Sequence, residues 1–218
     1  GIPPELPCGV SPGLWFIKLE CFIRYVDANP TQYQVYSYQN SYLEVDSTSD
    51  IASPVTGYFV NQANRYDITD FEAMETRHPG SRFVHHTSSL SRGIGTQVAT
   101  DFNNRMREYV RTNSKILLDV ADIESHDPSG NPCYDNRDGV AYSTSSASEN
   151  YPNDGLSAPA VCQHYTRESD GGHLGAPDVG KIRLAKAFWI VMARIAGWNP
   201  GGSSTPPPSS PSNLRVVP

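Results

Sequence analysis

The chain has 218 residues, with 17 Lys and Arg against 23 Asp and Glu and a formal net charge of −6. An apolar content of 38% and a mean hydropathy of −0.46 suit one core-forming domain with an appendage. No apolar run approaches the ~18 residues of a membrane helix, and the acidic balance argues against a nucleic-acid partner, which needs a basic face to release counterions from phosphates.

Taken in order, Leu14 to Val26 carries apolar residues at helical spacing (Leu14, Ile17, Cys21). Tyr33-Gln-Val-Tyr-Ser-Tyr38 alternates and is rich in β-formers, which predicts a strand. Asp67 to His78 sets Ile68, Phe71 and Met74 on one helical face, and Pro79-Gly80 ends it. Arg82-Phe-Val-His-His86 is a second short strand. Thr96 to Thr112 places Val98, Phe102, Met106 and Tyr109-Val110 on one side of an amphipathic helix. Lys115-Ile-Leu-Leu-Asp-Val120 is a third strand, apolar on both faces, as buried parallel strands are. Asp178 to Trp198 is the last helix, and its wide apolar coverage predicts deep docking. This alternation is the rhythm of a parallel, three-layer α/β sheet with right-handed crossovers.

Three strands make a thin sheet, and the sequence opens on Gly1-Ile2-Pro3-Pro4 without an initiator Met or a signal-peptide pattern. The expectation is that one or two strands precede Gly1 in the natural protein. From Asp127 to Gly172 runs a stretch rich in Asn, Asp, Ser, Pro and Gly. So long an irregular connection is uncommon in a compact domain unless it is functional or disordered. Four cysteines, Cys8, Cys21, Cys133 and Cys162, form no C-x-x-C pair, which argues against a zinc ribbon. An even count favours disulfides and an oxidising compartment. Cys133–Cys162 is the expected staple of the polar stretch, with Cys8–Cys21 following by elimination; four free, buried thiols are the alternative. The domain is expected over 1–198, followed by a Pro/Ser/Gly linker over 199–211.

The sharpest chemical signal is Tyr165-Thr-Arg-Glu-Ser-Asp170-Gly-Gly-His173-Leu174, between the long loop and the last helix. Open α/β folds bind ligands at the carboxyl edge of the sheet, where this segment is expected to lie. Acyl transfer needs an imidazole to take the nucleophile's proton and a carboxylate to hold that imidazole's tautomer. Gly171-Gly172 let an Asp and a His three apart turn toward one another. The plainer reading is that Asp170 caps a turn and His173 is incidental.

Asp-Gly-Gly-His-Leu directly before a carboxyl-terminal amphipathic helix resembles the Asp–His block of SGNH/GDSL-type hydrolases. Phe83-Val-His-His-Thr87, Lys115-Ile-Leu-Leu-Asp-Val-Ala-Asp-Ile-Glu124 and Gly180-Lys-Ile-Arg-Leu-Ala-Lys-Ala-Phe-Trp189 are similar to a subfamily of secreted bacterial proteins. The resemblance covers about residues 20–198 and implies a flavodoxin-like, SGNH-hydrolase-like fold lacking its first strand or strands. It implies that Asp170 orients His173 as the base and that Asn40, just past the first strand, belongs to the oxyanion hole. The family's Gly-x-Asn-Asp signature is absent there, and its strand-end serine block has no match: Ser11 follows no strand, and Ser88 and Ser89 follow a later one. The nucleophile is therefore expected upstream of Gly1. Ser212-Asn-Leu-Arg-Val-Val-Pro218 resembles the opening of a fibronectin type III module.

His85 and His86 are adjacent, so on a strand they point to opposite faces and do not chelate together. Asp119, Asp122, Glu124, His126 and Asp127 form an acidic run that lacks calcium-loop spacing. It reads as a polar rim first and a cation site second. Tyr134, Tyr142, Tyr151 and Tyr165 are suited either to stacking on a sugar or to packing on their own loop. Together these readings lead to an extracellular esterase of acylated carbohydrate or another small ester. It is expected to need no cofactor or metal and to act as a monomer within a multi-domain chain. The rivals are a non-catalytic glycan-binding or adhesion module on the same fold and a metal-dependent carbohydrate-active enzyme.

Overall fold

The structure is a computed structural model that describes residues 14–45, 49–91, 97–135, 157–166, 174 and 179–199. The elements are α1 (Trp15–Ala28), β1 (Val35–Tyr38), α2 (Ile68–Arg77), β2 (Arg82–His86), α3 (Gln97–Thr112), β3 (Ile116–Leu118), α4 (Val120–Glu124) and α5 (Val179–Ile195). The three strands pair in parallel in the order β1-β2-β3, with Tyr36 opposite Phe83 and Val84 opposite Ile116. This is an α/β arrangement, as the alternation predicts. The linker and the Ser212–Pro218 segment lie outside the described residues.

Side chains alternate between the faces of a strand, and here the alternation sorts two cores. One face presents Tyr36 and Phe83 to α1, α2 and α3, which contribute Trp15, Leu19, Ile23, Phe71, Met74, Phe102 and Met106. Aromatic rings link the layers: Phe83 stacks on Tyr36 at 5.8 Å, and Phe71 meets Phe83 edge-on at 6.1 Å. The other face presents Val84 and Leu118, against which Leu184, Ala187, Val191 and Ile195 of α5 pack.

Local chemistry sets the boundaries. The Asp67 carboxylate caps α2 by accepting from Thr69 N–H at 2.7 Å, while Asp70 accepts from Asp67 N–H at 2.9 Å. At the other end His78 is followed by Pro79, which disfavours helical backbone in the residue before it. Ser114, at φ 50°, turns the chain from α3 into β3.

Two expectations need correction. The third strand does not reach Val120: the Asp119 side chain accepts from Asp122 N–H at 3.2 Å and starts α4 there. Nor is α5 deeply docked: Ile182 is 52% exposed and Val179 47%. Leu184, Ala187, Val191 and Ile195 form the stripe that meets the sheet, while Val179, Ile182, Phe188 and Ile190 are exposed. Among the described residues, no helix is long and apolar enough to cross a membrane.

The described parts of the long polar stretch are tied down. Cys133 and Cys162 form a disulfide, as expected, and flanking backbone bonds run from Cys133 N–H to Ser125 O and from Cys162 N–H to Glu124 O. Cys21 is also disulfide-bonded; Cys8 lies outside the described residues. Gly180 opens α5 against this clasp, where a Cβ would come within 2.8 Å of Tyr165. Only glycine permits that approach.

Candidate functional site

The loops leaving the carboxyl ends of β1, β2 and β3 carry a concentration of buried polar side chains: Asn40, Thr87, Ser88 and, on α4, Glu124. Thr87 joins all three. Its carbonyl accepts from Gln39 Nε2 at 3.3 Å, its hydroxyl donates to Asp119 Oδ1 at 3.0 Å, and the same oxygen accepts from Ala121 N–H at 2.9 Å. Arg107 of α3 grips Asp119 through Nε at 2.7 Å and Nη2 at 2.9 Å. Ser88 donates to Asn103 Oδ1 through both its N–H, at 2.8 Å, and its hydroxyl, at 3.0 Å. Ser89 Oγ accepts from Tyr42 N–H at 3.2 Å, joining the β1 and β2 loops again. Neither serine is hydrogen-bonded to an imidazole among the described residues.

Asn40 is 1% exposed, and its Oδ1 lies 3.1 Å from the Tyr38 hydroxyl, whose single proton it shares with Trp15 O at 3.3 Å. Burial raises the Tyr38 phenol well above its usual range, so it remains a donor. With Oδ1 engaged this way, Nδ2 is the end of Asn40 left to donate elsewhere.

The paired histidines separate as the strand geometry requires. His85 turns into the larger core, 4.7 Å from the Phe71 ring, with Nε2 3.1 Å from Glu75 Oε1. Lys115 pairs with the other Glu75 oxygen. Burial pushes the Glu75 carboxyl up, but hydrogen bonds from His85 and Lys115 outweigh it and hold the carboxyl below its ordinary value. His86 lies on the opposite face, 7% exposed, and neither ring nitrogen has a hydrogen-bond partner among the described residues. Burial, and then the neighbouring His85, lower its pKa to about 4, so the ring is neutral at pH 7.

Glu124 is the second displaced titration. It is 2% exposed and accepts a backbone hydrogen bond from Leu90 N–H at 2.7 Å. Burial outweighs that bond and pushes its pKa up to about 8.

Asp170 and His173 lie outside the described residues, as do Tyr142, Tyr151 and Ser11. Leu174, the residue after His173, is described. It packs against Leu90 from the loop after β2, Ala121 of α4, and Val161, Cys162 and Tyr165. Leu174 thus sits beside the loops that follow β2 and β3.

Tyr165 is not available to stack on a sugar. It is 1% exposed, its hydroxyl donates to His126 O at 2.6 Å, and the Arg183 guanidinium lies 5.2 Å from its ring centre. Tyr134 remains 46% exposed. The acidic run is dispersed among separate partners: Asp119 holds Arg107, and Asp127 accepts from Ser129 N–H, Asn131 N–H and Asn131 Nδ2. No group of three or more His, Cys, Asp or Glu among the described residues is arranged to hold a metal ion. A cavity of about 400 Å³ lies between α1 and the turn at 62–66. There Arg65 is already engaged by Asp50 and the Phe16 ring.

Sequence reasoning did not find the roles of Thr87, Arg107 and Asn103, or the isolation of His86. The only sequence signal was their position, at or opposite strand ends. No protein-family model matches this chain, and neither the curated proteins nor the solved structures contain a match.

Proposed function

We propose that the protein is a serine-type ester hydrolase of the SGNH kind that deacylates a carbohydrate outside the cell. The observation that supports it most is the position of Leu174 beside the loops that follow β2 and β3, because its sequence neighbour is His173. In this reading the His173 imidazole takes the proton from a serine hydroxyl as its oxygen attacks the acyl carbonyl. Asp170 holds the tautomer and stabilises the imidazolium. Asn40 Nδ2 donates to the oxygen that gains charge, its other end being fixed by Tyr38. His173 then returns the proton to the departing sugar oxygen, and water releases the acyl group by the same steps.

The Cys133–Cys162 disulfide favours the extracellular assignment. The reading calls for a serine nucleophile, and the assay uses the full-length protein. On acetylated glycosides, His173→Ala is expected to lower kcat by ~10³-fold or more. Equal turnover by the two proteins removes His173 from the mechanism.

A further inference from the structure

Residues 39–67 connect β1 to α2 without a strand or an α-helix among the described residues. So long a connection is uncommon unless it is functional or disordered, and this one is pinned in place. Asp50 accepts from Trp15 Nε1 at 3.1 Å and from Arg65 Nη1 at 2.5 Å, and the Arg65 guanidinium lies 4.8 Å from the Phe16 ring centre. Gln62 Nε2 donates to Thr56 O at 2.8 Å and to Gly57 O at 2.9 Å. Its backbone N–H donates to Asp67 at 2.6 Å. These bonds hold the turn at 62–66 against α1 and frame the cavity of about 400 Å³, whose walls include Phe16, Glu20, Gln62, Arg65, Tyr66 and Asp70. Asn64, also in the lining, is exposed, so the cavity is reached from solvent. The connection leaves the sheet at the carboxyl end of β1, the edge at which open α/β folds take their ligands. Side chains tie the cavity wall to that end: the Tyr38 hydroxyl lies 3.3 Å from Trp15 O, and Trp15 in turn bonds Asp50.

The lining narrows what the cavity can take. Ionised Glu20 and Asp70 only accept, and Gln62, with both side-chain N–H groups spent, has an acceptor left. The ligand must therefore bring several donors, while Arg65 and Asn64 supply donors in return. Charge is already balanced, since Arg24 holds Glu20 at 2.5 Å and Asp50 holds Arg65. A free anion meets two carboxylates there, and a free cation meets a guanidinium that already lies over Phe16. An apolar ligand strips water from charged groups and gives nothing back. Hydroxyls donate and accept without charge, and a sugar ring carries several, with a C–H face for the Tyr66 ring. The volume falls in the ~300–1,000 Å³ range of small-molecule pockets.

We propose that this cavity is a carbohydrate-binding site that takes an uncharged mono- or disaccharide through its hydroxyls. The proposal goes beyond the esterase reading and does not depend on it, because Asp170 and His173 have no part in the lining that argues it.

The readout is binding, so its failure is distinct from that of the His173→Ala assay. Methyl glycosides of glucose, galactose, mannose and xylose, and cellobiose, are titrated into the ¹⁵N-labelled full-length protein. Tetrahydropyran, tetramethylammonium and inorganic phosphate serve as apolar, cationic and anionic controls. At least one sugar is expected to shift the Asn64 side-chain and Arg65 backbone amide resonances saturably. Tetrahydropyran is not, since a site built to hydrogen-bond hydroxyls rejects the analogue lacking them. Glu20→Ala is expected to weaken that sugar's binding by ~10-fold or more, and Asn64→Ala by ~3-fold or more, as the loss of a charged and of a neutral hydrogen bond implies. Thermal melts confirm that each variant is folded; where Glu20→Ala is not, Glu20→Gln takes its place. The proposal is overturned if no sugar shifts these resonances, if a control shifts them as strongly as the sugars do, or if both folded variants bind as the wild type does.

Discussion

Glu124 gives a stability prediction with a definite sign. Its carboxyl closes α4, 2% exposed, with Leu90 N–H at 2.7 Å as its hydrogen-bond donor. Burial moves its pKa from the ordinary 4.5 to about 8 in the folded protein. Between those values the folded state keeps a proton that the unfolded chain has released, so the folded state binds more protons and stability falls as pH rises. The contribution is fully present below pH 4.5 and is lost as pH climbs through about 8. At ~1.36 kcal/mol per pH unit, that interval corresponds to about 4–5 kcal/mol, a large share of the ~5–15 kcal/mol stability of a typical domain.

Glu124→Gln isolates the effect. The amide keeps an oxygen for Leu90 N–H, replaces the acid O–H with N–H, and never ionises. Urea unfolding of both proteins at pH 5 and pH 9 gives the stability difference at each pH, and titrating groups common to both largely cancel in the comparison. From pH 5 to pH 9 the wild type is expected to lose about 4 kcal/mol relative to the variant. A difference constant to within ~1 kcal/mol, or one that moves in the wild type's favour at high pH, refutes the account. A direct check is the Glu124 side-chain ¹³C resonance, which should titrate near pH 8 rather than in the usual carboxylate range.

Two further predictions concern the scaffold around this edge. The Cys133–Cys162 bridge spans a sequence separation of 29, so the double substitution Cys133→Ser, Cys162→Ser is expected to cost about 3–4 kcal/mol on the loop-entropy account. Urea unfolding under non-reducing conditions measures it, and a loss below ~1 kcal/mol argues against the bridge as a staple of the polar stretch. Asp67→Ala strips the α2 cap and leaves Thr69 N–H and Gln62 N–H, which donate to Asp67 at 2.7 and 2.6 Å, without their acceptor. The expected loss is about 2–3 kcal/mol, larger than an exposed cap would give because Asp67 is 0% exposed. Thermal melts of Asp67→Ala and the milder Asp67→Asn test this; an unchanged Tm in Asp67→Ala would remove the cap from the stability account.

The parts of the fold legible in sequence were those set by local chemistry. Arg82–His86 is a strand over the span its β-formers predict, and α2 begins and ends where Asp67 and Pro79 direct. The misread parts depended on contacts from elsewhere. In Ile-Leu-Leu-Asp-Val the apolar pattern continues past Leu118, but the Asp119 carboxylate bends the backbone into α4. α5 has apolar residues on several sides, and only the tertiary structure reveals that Leu184, Ala187, Val191 and Ile195 are the ones that dock. Tyr165 illustrates the same limit at the site: composition groups it with the loop tyrosines, whereas it is buried in a cluster with Leu90 and Ala121, both distant in sequence. Asn40 is singled out by a family resemblance and strand-end position, and its contact with Tyr38 emerges only from the folded chain.

The carboxyl edge explains how so thin a sheet could present fixed groups. Strands of four, five and three residues share few backbone bonds, so their ends would splay if the ladder alone held them. Side chains take over: Gln39 binds the β1 end to Thr87, Thr87 binds the β2 end to Asp119 and Ala121, and Arg107 anchors Asp119 from α3. Ser88 is fixed to Asn103 and Ser89 to Tyr42. Once these bonds are made, the polar groups at the edge divide into two kinds. Thr87, Ser88, Asn103 and Asp119 hold the loops together, while the ring nitrogens of His86 have no hydrogen-bond partner among the described residues.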